Sequence, residues 1–192
     1  VLDKDLNILA KYNKNKLVPF GEFLPLENIL SAMGLKSLTN NYQSYSSSNI
    51  RDPFSLNKYE KFKILPLICY EIIYSGELSK NSDEYNFIVN ISEDGWFGDS
   101  IGPYQHFAHS VFRSVEYGKY TLRSANNGIS AIVDPTGTVV DKININKEGV
   151  ISLNEMVKAD KTMFSTYGNK LYFLTILLYI FLIFSFKKFK NE

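Results

Sequence analysis

The sequence predicts an α/β layer fold followed by a separate hydrophobic helix. Four apolar runs bounded by turn residues are typical of strands buried on both faces; they occur at residues 62–70, 87–92, 129–133 and 138–140. A helical pattern at residues 103–117 lies between the second and third runs. Strands that alternate with helices indicate layered packing, and 192 residues suit one medium-sized domain.

Composition excludes several classes of protein. A chain with 45% hydrophobic and 15% aromatic residues is not disordered. Its 21 basic and 20 acidic residues leave no surplus of positive charge for a nucleic acid. The single cysteine, Cys69, excludes an intramolecular disulfide framework and a cysteine-based zinc cluster, and we expect no metal or cofactor. The chain begins with Val1 and has no leader-like start, so we expect it to be part of a longer polypeptide.

Other elements follow from local patterns along the chain. Alternating apolar residues predict a short strand at 6–12, and Pro-Phe-Gly predicts a turn at 19–21. Apolar residues at helical spacing predict a helix over 25–35, whose apolar face either packs on the core or touches a membrane as a lid. Residues 40–49 form a polar loop, and Asp-Pro-Thr-Gly at 134–137 predicts a hairpin turn.

The C-terminal run suits a membrane. Residues 171–186 carry no charge, and sixteen helical residues measure about 24 Å against a hydrocarbon core of about 30 Å. Extension back to Met163 reaches 24 residues, which predicts a transmembrane helix; a buried core helix is the alternative. Basic residues after the run (Lys187, Lys188, Lys190) favour a cytoplasmic C-terminus, with residues 1–161 outside.

Two residues in the apolar segment 64–74 are candidates for chemistry. A carboxylate in an apolar run is costly to bury unless something pairs with it, so Glu71 either faces water or belongs to a polar site. Cys69 is either an inert core thiol or a nucleophile activated by a nearby cation.

Cations that could accompany this thiol are few. His106 and His109 lie on one helical face without a third ligand nearby, so we interpret them as surface or supporting residues rather than a metal site. The lysines of residues 11–16 are a solvated cluster by default. A strand leading into a turn could project one of them into a cleft near Glu22, but composition does not select Lys14.

Five segments carry a resemblance: YNKNKLVPFGEFLPL (12–26), ICYEII (68–73), NISEDGWFGDSIGPYQH (90–106), RSANNGISAIVDPTGTVV (123–140) and the final hydrophobic helix. The chain resembles the C-terminal portion of the apolipoprotein N-acyltransferases, a membrane-embedded family of the nitrilase (carbon–nitrogen hydrolase) superfamily. The resemblance implies a nitrilase-like α-β-β-α sandwich over residues 1–161, incomplete at its N-terminus. It also implies a transmembrane helix with a basic tail over residues 162–192.

The resemblance assigns roles to individual residues. Cys69 matches the nucleophile, and Lys14 matches the lysine that stabilises the oxyanion of the tetrahedral intermediate. Glu22 and Glu71 match supporting carboxylates, and Tyr70 matches an aromatic residue that the family also needs. We therefore expect the Lys14 ammonium and the Cys69 sulfur to converge.

Trp96 matches a loop near the substrate pocket, or it is a buried structural aromatic.

The chain departs from the family at two places. The family usually has Asn-Asp-Ala-Trp where residues 93–96 are Glu-Asp-Gly-Trp. The general-base glutamate of the family lies upstream of the lysine, where this chain has only the acids Asp3 and Asp5. We therefore expect an upstream fragment to supply this glutamate.

The resemblance also implies a reaction and a location. Cys69 would take an acyl chain from the sn-1 ester of a phospholipid and pass it to the N-terminal amine of a diacylglyceryl-cysteine apolipoprotein. The location would be the bacterial inner membrane, with the catalytic domain on the periplasmic side. Two alternatives remain open: an amidase or nitrilase of the same superfamily that acts on soluble substrates, and a non-catalytic, membrane-anchored remnant of a split gene.

Overall fold

The computed structural model describes residues 1–26, 29, 45–49, 51–56, 59–78, 82–157 and 159–190. Six strands within these ranges form one sheet in chain order: β1 Phe54–Leu56, β2 Tyr59–Ile68, β3 Phe87–Glu93, β4 Tyr120–Asn126, β5 Ser130–Val133 and β6 Val139–Ile143. The described α-helices are α1 Gly102–Tyr117, α2 Met163–Tyr167 and α3 Lys170–Lys190. Short 3₁₀ turns cover Cys69–Ile73, Ser82–Glu84 and Gly95–Phe97.

The sheet is parallel at its centre and antiparallel at both sides. β2, β3 and β4 run parallel, and α1 makes the crossover from β3 to β4 that a parallel pair requires. β1 pairs antiparallel with β2, and β4, β5 and β6 form antiparallel pairs. Because the central strands are parallel, their carboxyl ends meet at one edge, where β2 ends at Ile68 and β3 ends at Glu93.

One face of the sheet packs against α1. Along β3, residues alternate between the two faces, and Ile88 and Asn90 are fully buried on the α1 side. The principal core cluster contains seven buried residues: Leu65, Leu67, Ile72, Leu78, Tyr85, Ile88 and Tyr117. A smaller cluster joins β5 to α1 through Ile129, Ala131, Val133, Phe107 and Val111. This packing holds α1 beneath the edge where the parallel strands end.

The opposite face of the sheet is only partly covered by described residues. Its buried centre is a cluster of Phe87, Tyr120 and Ile132 with the half-buried Ile151 and Leu153. Towards the edges of this face, Phe62 is 43% exposed and Ile91 is 54% exposed. An apolar sheet face of this kind is normally buried against a second layer.

Most of the predicted strands are confirmed. The apolar runs correspond to β2, β3, β5 and β6, the helical pattern corresponds to α1, and a turn joins β5 to β6. The predicted strand at 6–12 is wrong: its residues take part only in an isolated bridge between Leu2 and Ile8. Much of the predicted helix at 25–35 and half of the predicted loop at 40–49 lie outside the described residues.

The C-terminal region differs from its prediction. The expected continuous helix from Met163 is wrong, because Gly168, with a φ of 55°, ends α2 and separates it from α3. Among the described residues, no helix is both long and apolar enough to cross a membrane, so the transmembrane helix predicted over residues 162–192 is not found there.

The two faces of β3 predict different responses to truncation. Ile88→Ala should lower the free energy of unfolding by about 2–5 kcal/mol, because it opens a cavity in a closely packed core. Ile91→Ala, on the exposed face of the same strand, is the matched control and should change it by less than about 0.5 kcal/mol. Urea denaturation of the 192-residue chain measures both, and equal effects would contradict this assignment of the faces.

Candidate active site

Cys69 lies at the point where β2 turns away from the sheet. It follows the last residue of β2 and begins the 3₁₀ turn Cys69–Ile73. Its φ of 52° is left-handed, a conformation that costs a residue with a side chain about 1–3 kcal/mol unless its surroundings hold it. The thiol is partly buried, and its Sγ lies 3.9 Å from the carbonyl oxygen of Glu93 at the end of β3.

Glu71, in the middle of this turn, is a fully buried carboxylate. Five groups among the described residues donate hydrogen bonds to it at 2.8–3.0 Å: the Tyr12 hydroxyl, the backbone N–H groups of Asn15, Lys16 and Ile68, and the Arg51 guanidinium. A buried carboxylate needs such partners to remain charged. Glu71 therefore belongs to a polar site, and it ties residues 12–16 to the turn that carries Cys69.

Tyr12 and Arg51 both stay protonated, as their hydrogen bonds to Glu71 require. Burial, reinforced by the Glu71 carboxylate, raises the pKa of Tyr12 to about 12 despite the opposing effect of Arg51, so its hydroxyl stays a donor. Burial alone would lower the pKa of Arg51, but its contacts with Tyr12 and Glu71 outweigh burial and raise it. The guanidinium therefore remains the counterion of Glu71, at 2.9 Å.

Lys14 is held by the second predicted carboxylate. Its Nζ donates to both oxygens of Glu22, at 2.6 and 2.7 Å, and its side chain is only 11% exposed. Glu22 also accepts a hydrogen bond of 2.9 Å from the backbone N–H of Val18. This geometry fixes the ammonium on the loop that Glu71 anchors beside Cys69.

A cavity of about 340 Å³ brings most of the predicted site residues together. Its lining includes Glu22, Cys69, Tyr70, Trp96, Phe97 and His106. Lys14 is tied to this lining by its ion pair with Glu22. Trp96 is 88% exposed at the rim, so the alternative of a buried structural aromatic is wrong. A cavity with a mainly apolar surface and a thiol in its wall suits an apolar acyl group.

Glu93 and Gly95, the two residues at 93–96 that depart from the resembled family, contact each other. The Glu93 carboxylate accepts hydrogen bonds from the backbone N–H of Gly95 at 2.7 Å and from Asn126 at 2.5 Å. A Cβ on Gly95 would lie 2.5 Å from that carboxylate. With glutamate at position 93, an alanine at position 95 would require the Glu93 carboxylate to move away.

A second buried polar network lies beneath Cys69. The Asp94 carboxylate accepts hydrogen bonds from His106 Nδ1 at 2.8 Å, Arg123 at 2.6 Å and the Ser92 hydroxyl at 2.8 Å. Arg123 also donates to Asn90, which in turn donates to the carbonyl oxygen of Cys69 at 3.4 Å. The network therefore joins β3, β4 and α1 to the first residue of the turn.

The charges of this network stabilise one another. Burial acts to raise the pKa of Asp94, but the hydrogen bond from His106 and the charge of Arg123 outweigh it and lower the pKa. Burial lowers the pKa of Arg123, although Asp94 opposes this. Both groups are almost fully buried, at 1% and 3% exposure, so each depends on the other for its charge.

His106 is buried, which corrects its interpretation as a possible surface residue. Its Nδ1 faces the Asp94 carboxylate and its Nε2 lies 3.3 Å from the carbonyl oxygen of Cys69. The Arg123 guanidinium also lies 3.2 Å from Nδ1, so the ring is held between this buried network and the Cys69 carbonyl. His109 is less buried, and burial followed by the nearby charge of Arg113 lowers its pKa.

Sequence patterns did not reveal several of these residues. Arg51 follows a polar stretch that resembles any surface loop, and Arg123 lies in a strand that the apolar pattern did not predict. The pairing of Asp94 with Arg123 joins two strands and has no signature along the chain. Among the described residues, no group of three or more His, Cys, Asp or Glu side chains could hold a metal ion.

Comparisons with known proteins identify related chains. The family described as carbon-nitrogen hydrolase matches residues 1–154. Apolipoprotein N-acyltransferase from Rickettsia prowazekii (strain Madrid E) is 44% identical over 183 residues, which are 95% of this chain and 35% of that protein. The protein of the same name from Bradyrhizobium diazoefficiens is 37% identical over 169 residues, or 88% of this chain and 31% of that protein. The chain thus spans about a third of the length of these relatives.

A solved structure supports the fold. An amidase from Nesterenkonia sp. superposes with a TM-score of 0.51 at 15% identity, over 76% of this chain and 49% of that one. At this identity the likeness concerns the fold alone.

Asp94→Asn should test the second network. The variant leaves the buried Arg123 guanidinium without its counterion, so unfolding free energy should fall by about 3–5 kcal/mol at pH 7. Because folding lowers the pKa of Asp94 from its ordinary 3.8, its stabilisation is complete above that value and is lost as pH falls through the lowered pKa. The difference between wild type and variant should therefore shrink in acid.

Urea denaturation at pH 7 and at successively lower pH measures this difference. Asp99→Asn, at an exposed position of the same loop, is the control and should have little effect. A difference that stays constant down to strongly acidic pH would contradict the ion pair.

Proposed function

Because the chain belongs to the carbon–nitrogen hydrolase family and is a homologue of apolipoprotein N-acyltransferases, we propose that it is the C-terminal part of an N-acyltransferase. The acyl donor is a phospholipid, and the acceptor is the N-terminal amine of a diacylglyceryl-cysteine apolipoprotein. The observation that carries this proposal is that Cys69 and Glu22 line one cavity, while the Glu22 carboxylate holds the Lys14 ammonium at 2.6 Å.

The geometry suits transfer through a thioester. The Cys69 thiolate attacks the ester carbonyl, and the Lys14 ammonium stabilises the oxyanion of the tetrahedral intermediate. Collapse of the intermediate breaks the ester bond, releases a lysophospholipid and leaves the acyl chain on sulfur. The acceptor amine then attacks the thioester carbonyl, forms the amide and returns the thiolate. Glu22 and Glu71 orient the lysine and its loop throughout.

We propose that the thiol proton goes to an acceptor beyond this chain. Glu93 lines the cavity, but its carboxylate is engaged by Gly95 and Asn126. The Asp3 carboxylate accepts hydrogen bonds from Asp5 and Asn7. We therefore assign the general base to a glutamate of an upstream segment, consistent with the chain spanning only about a third of its relatives.

The same upstream segment would cover the exposed sheet face. That face carries the exposed side chains Phe62 and Ile91, and this chain covers about half of the amidase whose fold it shares. A second sheet packed there would complete an α-β-β-α sandwich and bury these side chains.

The C-terminal helix supports a location at the bacterial inner membrane. Exposed apolar side chains lie around the circumference of α3, for example Phe173, Leu178 and Ile183. A helix that is hydrophobic all round is normally buried in protein or lipid. We place α3 against lipid, with the cavity on the periplasmic side, because both substrates carry acyl chains.

Hydrolysis of a soluble amide is the second candidate, since the family that matches residues 1–154 is described as carbon-nitrogen hydrolase. The exposed Trp96 at the cavity rim and the apolar α3 favour lipid substrates. Assays with a small amide and with phospholipid separate the two candidates, and inactivity towards both in the completed protein would indicate a non-catalytic remnant.

Lys14→Ala should reduce acyl-thioester formation about 10²–10³-fold, because the oxyanion loses its stabilising charge. Cys69→Ala should abolish it. Lys16→Ala is the matched control, since this lysine is exposed and contacts Glu71 only through its backbone N–H. Mass spectrometry of the protein completed with its upstream segment and incubated with phospholipid measures the thioester. Wild-type thioester formation in Lys14→Ala would overturn the assignment.

The isolated 192-residue chain should not turn over, because its general base is supplied from outside. Adding the upstream segment should restore phospholipid-dependent acylation of an apolipoprotein substrate. The measurement is lipoprotein acylation with and without that segment, using a segment whose glutamate is replaced by glutamine as control. Turnover by the isolated chain would refute the missing base.

A further inference from the structure

Helix α1 contacts both ends of the turn that carries Cys69. His106 Nε2 lies 3.3 Å from the carbonyl oxygen of Cys69, the first residue of the turn. Arg113 donates a hydrogen bond of 3.1 Å to the carbonyl oxygen of Ile73, the last residue of the turn. Both side chains are 97% buried. One rigid element therefore engages the turn at its beginning and at its end.

The spacing of the two donors matches the length of the turn. Seven positions separate His106 from Arg113, two helical turns, or about 10 Å along α1. A 3₁₀ turn from Cys69 to Ile73 spans about 8 Å. The two donors therefore lie on one face of α1 and reach the two opposite ends of the Cys69–Ile73 turn.

Each donor is itself held by a carboxylate. The Asp94 carboxylate holds the His106 ring through Nδ1, at 2.8 Å. Glu116 holds the Arg113 guanidinium at 2.7 Å and also accepts the Ser75 hydroxyl at 2.8 Å. Donors whose orientation is fixed before the reaction lose little freedom when they position a reacting group.

The turn requires such support. Cys69 has a left-handed φ of 52° without being glycine, and such a conformation persists only where surrounding contacts determine it. Asn90 donates a hydrogen bond of 3.4 Å to the Cys69 carbonyl oxygen and is itself held by a hydrogen bond from Arg123. The direction of the Cys69 side chain depends on the orientation of this peptide.

We propose that His106 and Arg113 are positioning residues that act through the backbone carbonyls of Cys69 and Ile73 to aim the thiol into the cavity. This inference rests on the proposed role of Cys69 as the nucleophile. His106 lines the same cavity, but its two ring nitrogens face the Cys69 carbonyl and Asp94 rather than the sulfur. It therefore orients the thiol and does not take its proton.

The single cysteine allows a direct test, because alkylation of the chain reports on Cys69 alone. The probe is N-octyl iodoacetamide, whose alkyl chain occupies the apolar cavity while the thiolate displaces iodide. His106→Asn keeps an amide donor at the position of Nδ1, facing Asp94, but has none at the position of Nε2. His106→Gln is the matched variant, because its amide nitrogen takes the place of Nε2 and can still donate to the Cys69 carbonyl.

His106→Asn should lower the maximal alkylation rate about tenfold and leave the half-saturating probe concentration unchanged, since misdirection of a reacting group slows its chemistry. His106→Gln should stay within about threefold of wild type. Equal rates in wild type and His106→Asn would overturn the proposal, and so would equal slowing in both variants. The alkylation rate of each protein in urea measures the intrinsic reactivity of its thiol, and each maximal rate is divided by it.

Arg113 supplies an independent test if a His106 variant fails to fold. Arg113→Lys retains a donor for the Ile73 carbonyl, whereas Arg113→Met does not. The maximal alkylation rate should fall in Arg113→Met and recover substantially in Arg113→Lys, with both variants folded by circular dichroism. Equal maximal rates in these two variants would overturn the role of Arg113.

An active Cys69→Ser protein would refute the proposed function while leaving the alkylation differences intact.

Discussion

The charge of one buried carboxylate organises the candidate site. Glu71 has no exposed surface, and an isolated charge in such a position would be strongly unfavourable. Its partners come from residues 12–16, from Arg51 and from the end of β2, so the energetic need to satisfy Glu71 brings distant segments together. Lys14 lies within the first of these segments, and the placement of its ammonium follows from the hydrogen bonds of its neighbours.

A second buried network supports the nucleophile turn from the other side. Asp94 and Arg123 provide a charged pair inside the sheet, and α1 connects that pair to Cys69 through His106. The turn is thus held by two sets of polar contacts, the partners of Glu71 and the network of Asp94, Arg123 and His106. Outside the turn, these two sets have no residue in common. Because Cys69 adopts a left-handed conformation, this double support is what makes its geometry persistent.

The apolar surfaces of the chain complement its polar centre. The edges of the second sheet face and most apolar side chains of α3 remain exposed within the described residues. Neither surface is expected to face water in a finished assembly. In the proposed enzyme an upstream layer covers the sheet face and lipid covers α3.

Local patterns along the chain predicted part of this structure. The period of apolar residues was sufficient for β2, β3, β5, β6 and α1, because each buries a continuous apolar side. It failed for β4, where buried Thr121 and Arg123 interrupt the apolar pattern. The motifs identified Cys69, Lys14, Glu22, Glu71 and Tyr70 as candidates, and the structure brings Cys69, Tyr70 and Glu22 to one cavity, with Lys14 bound to Glu22. Tertiary structure alone decided that His106 supports Cys69 and that Gly168 divides the final helix. The physical reason is that buried charges and hydrogen bonds depend on which distant groups meet, whereas apolar periodicity is a property of the chain itself.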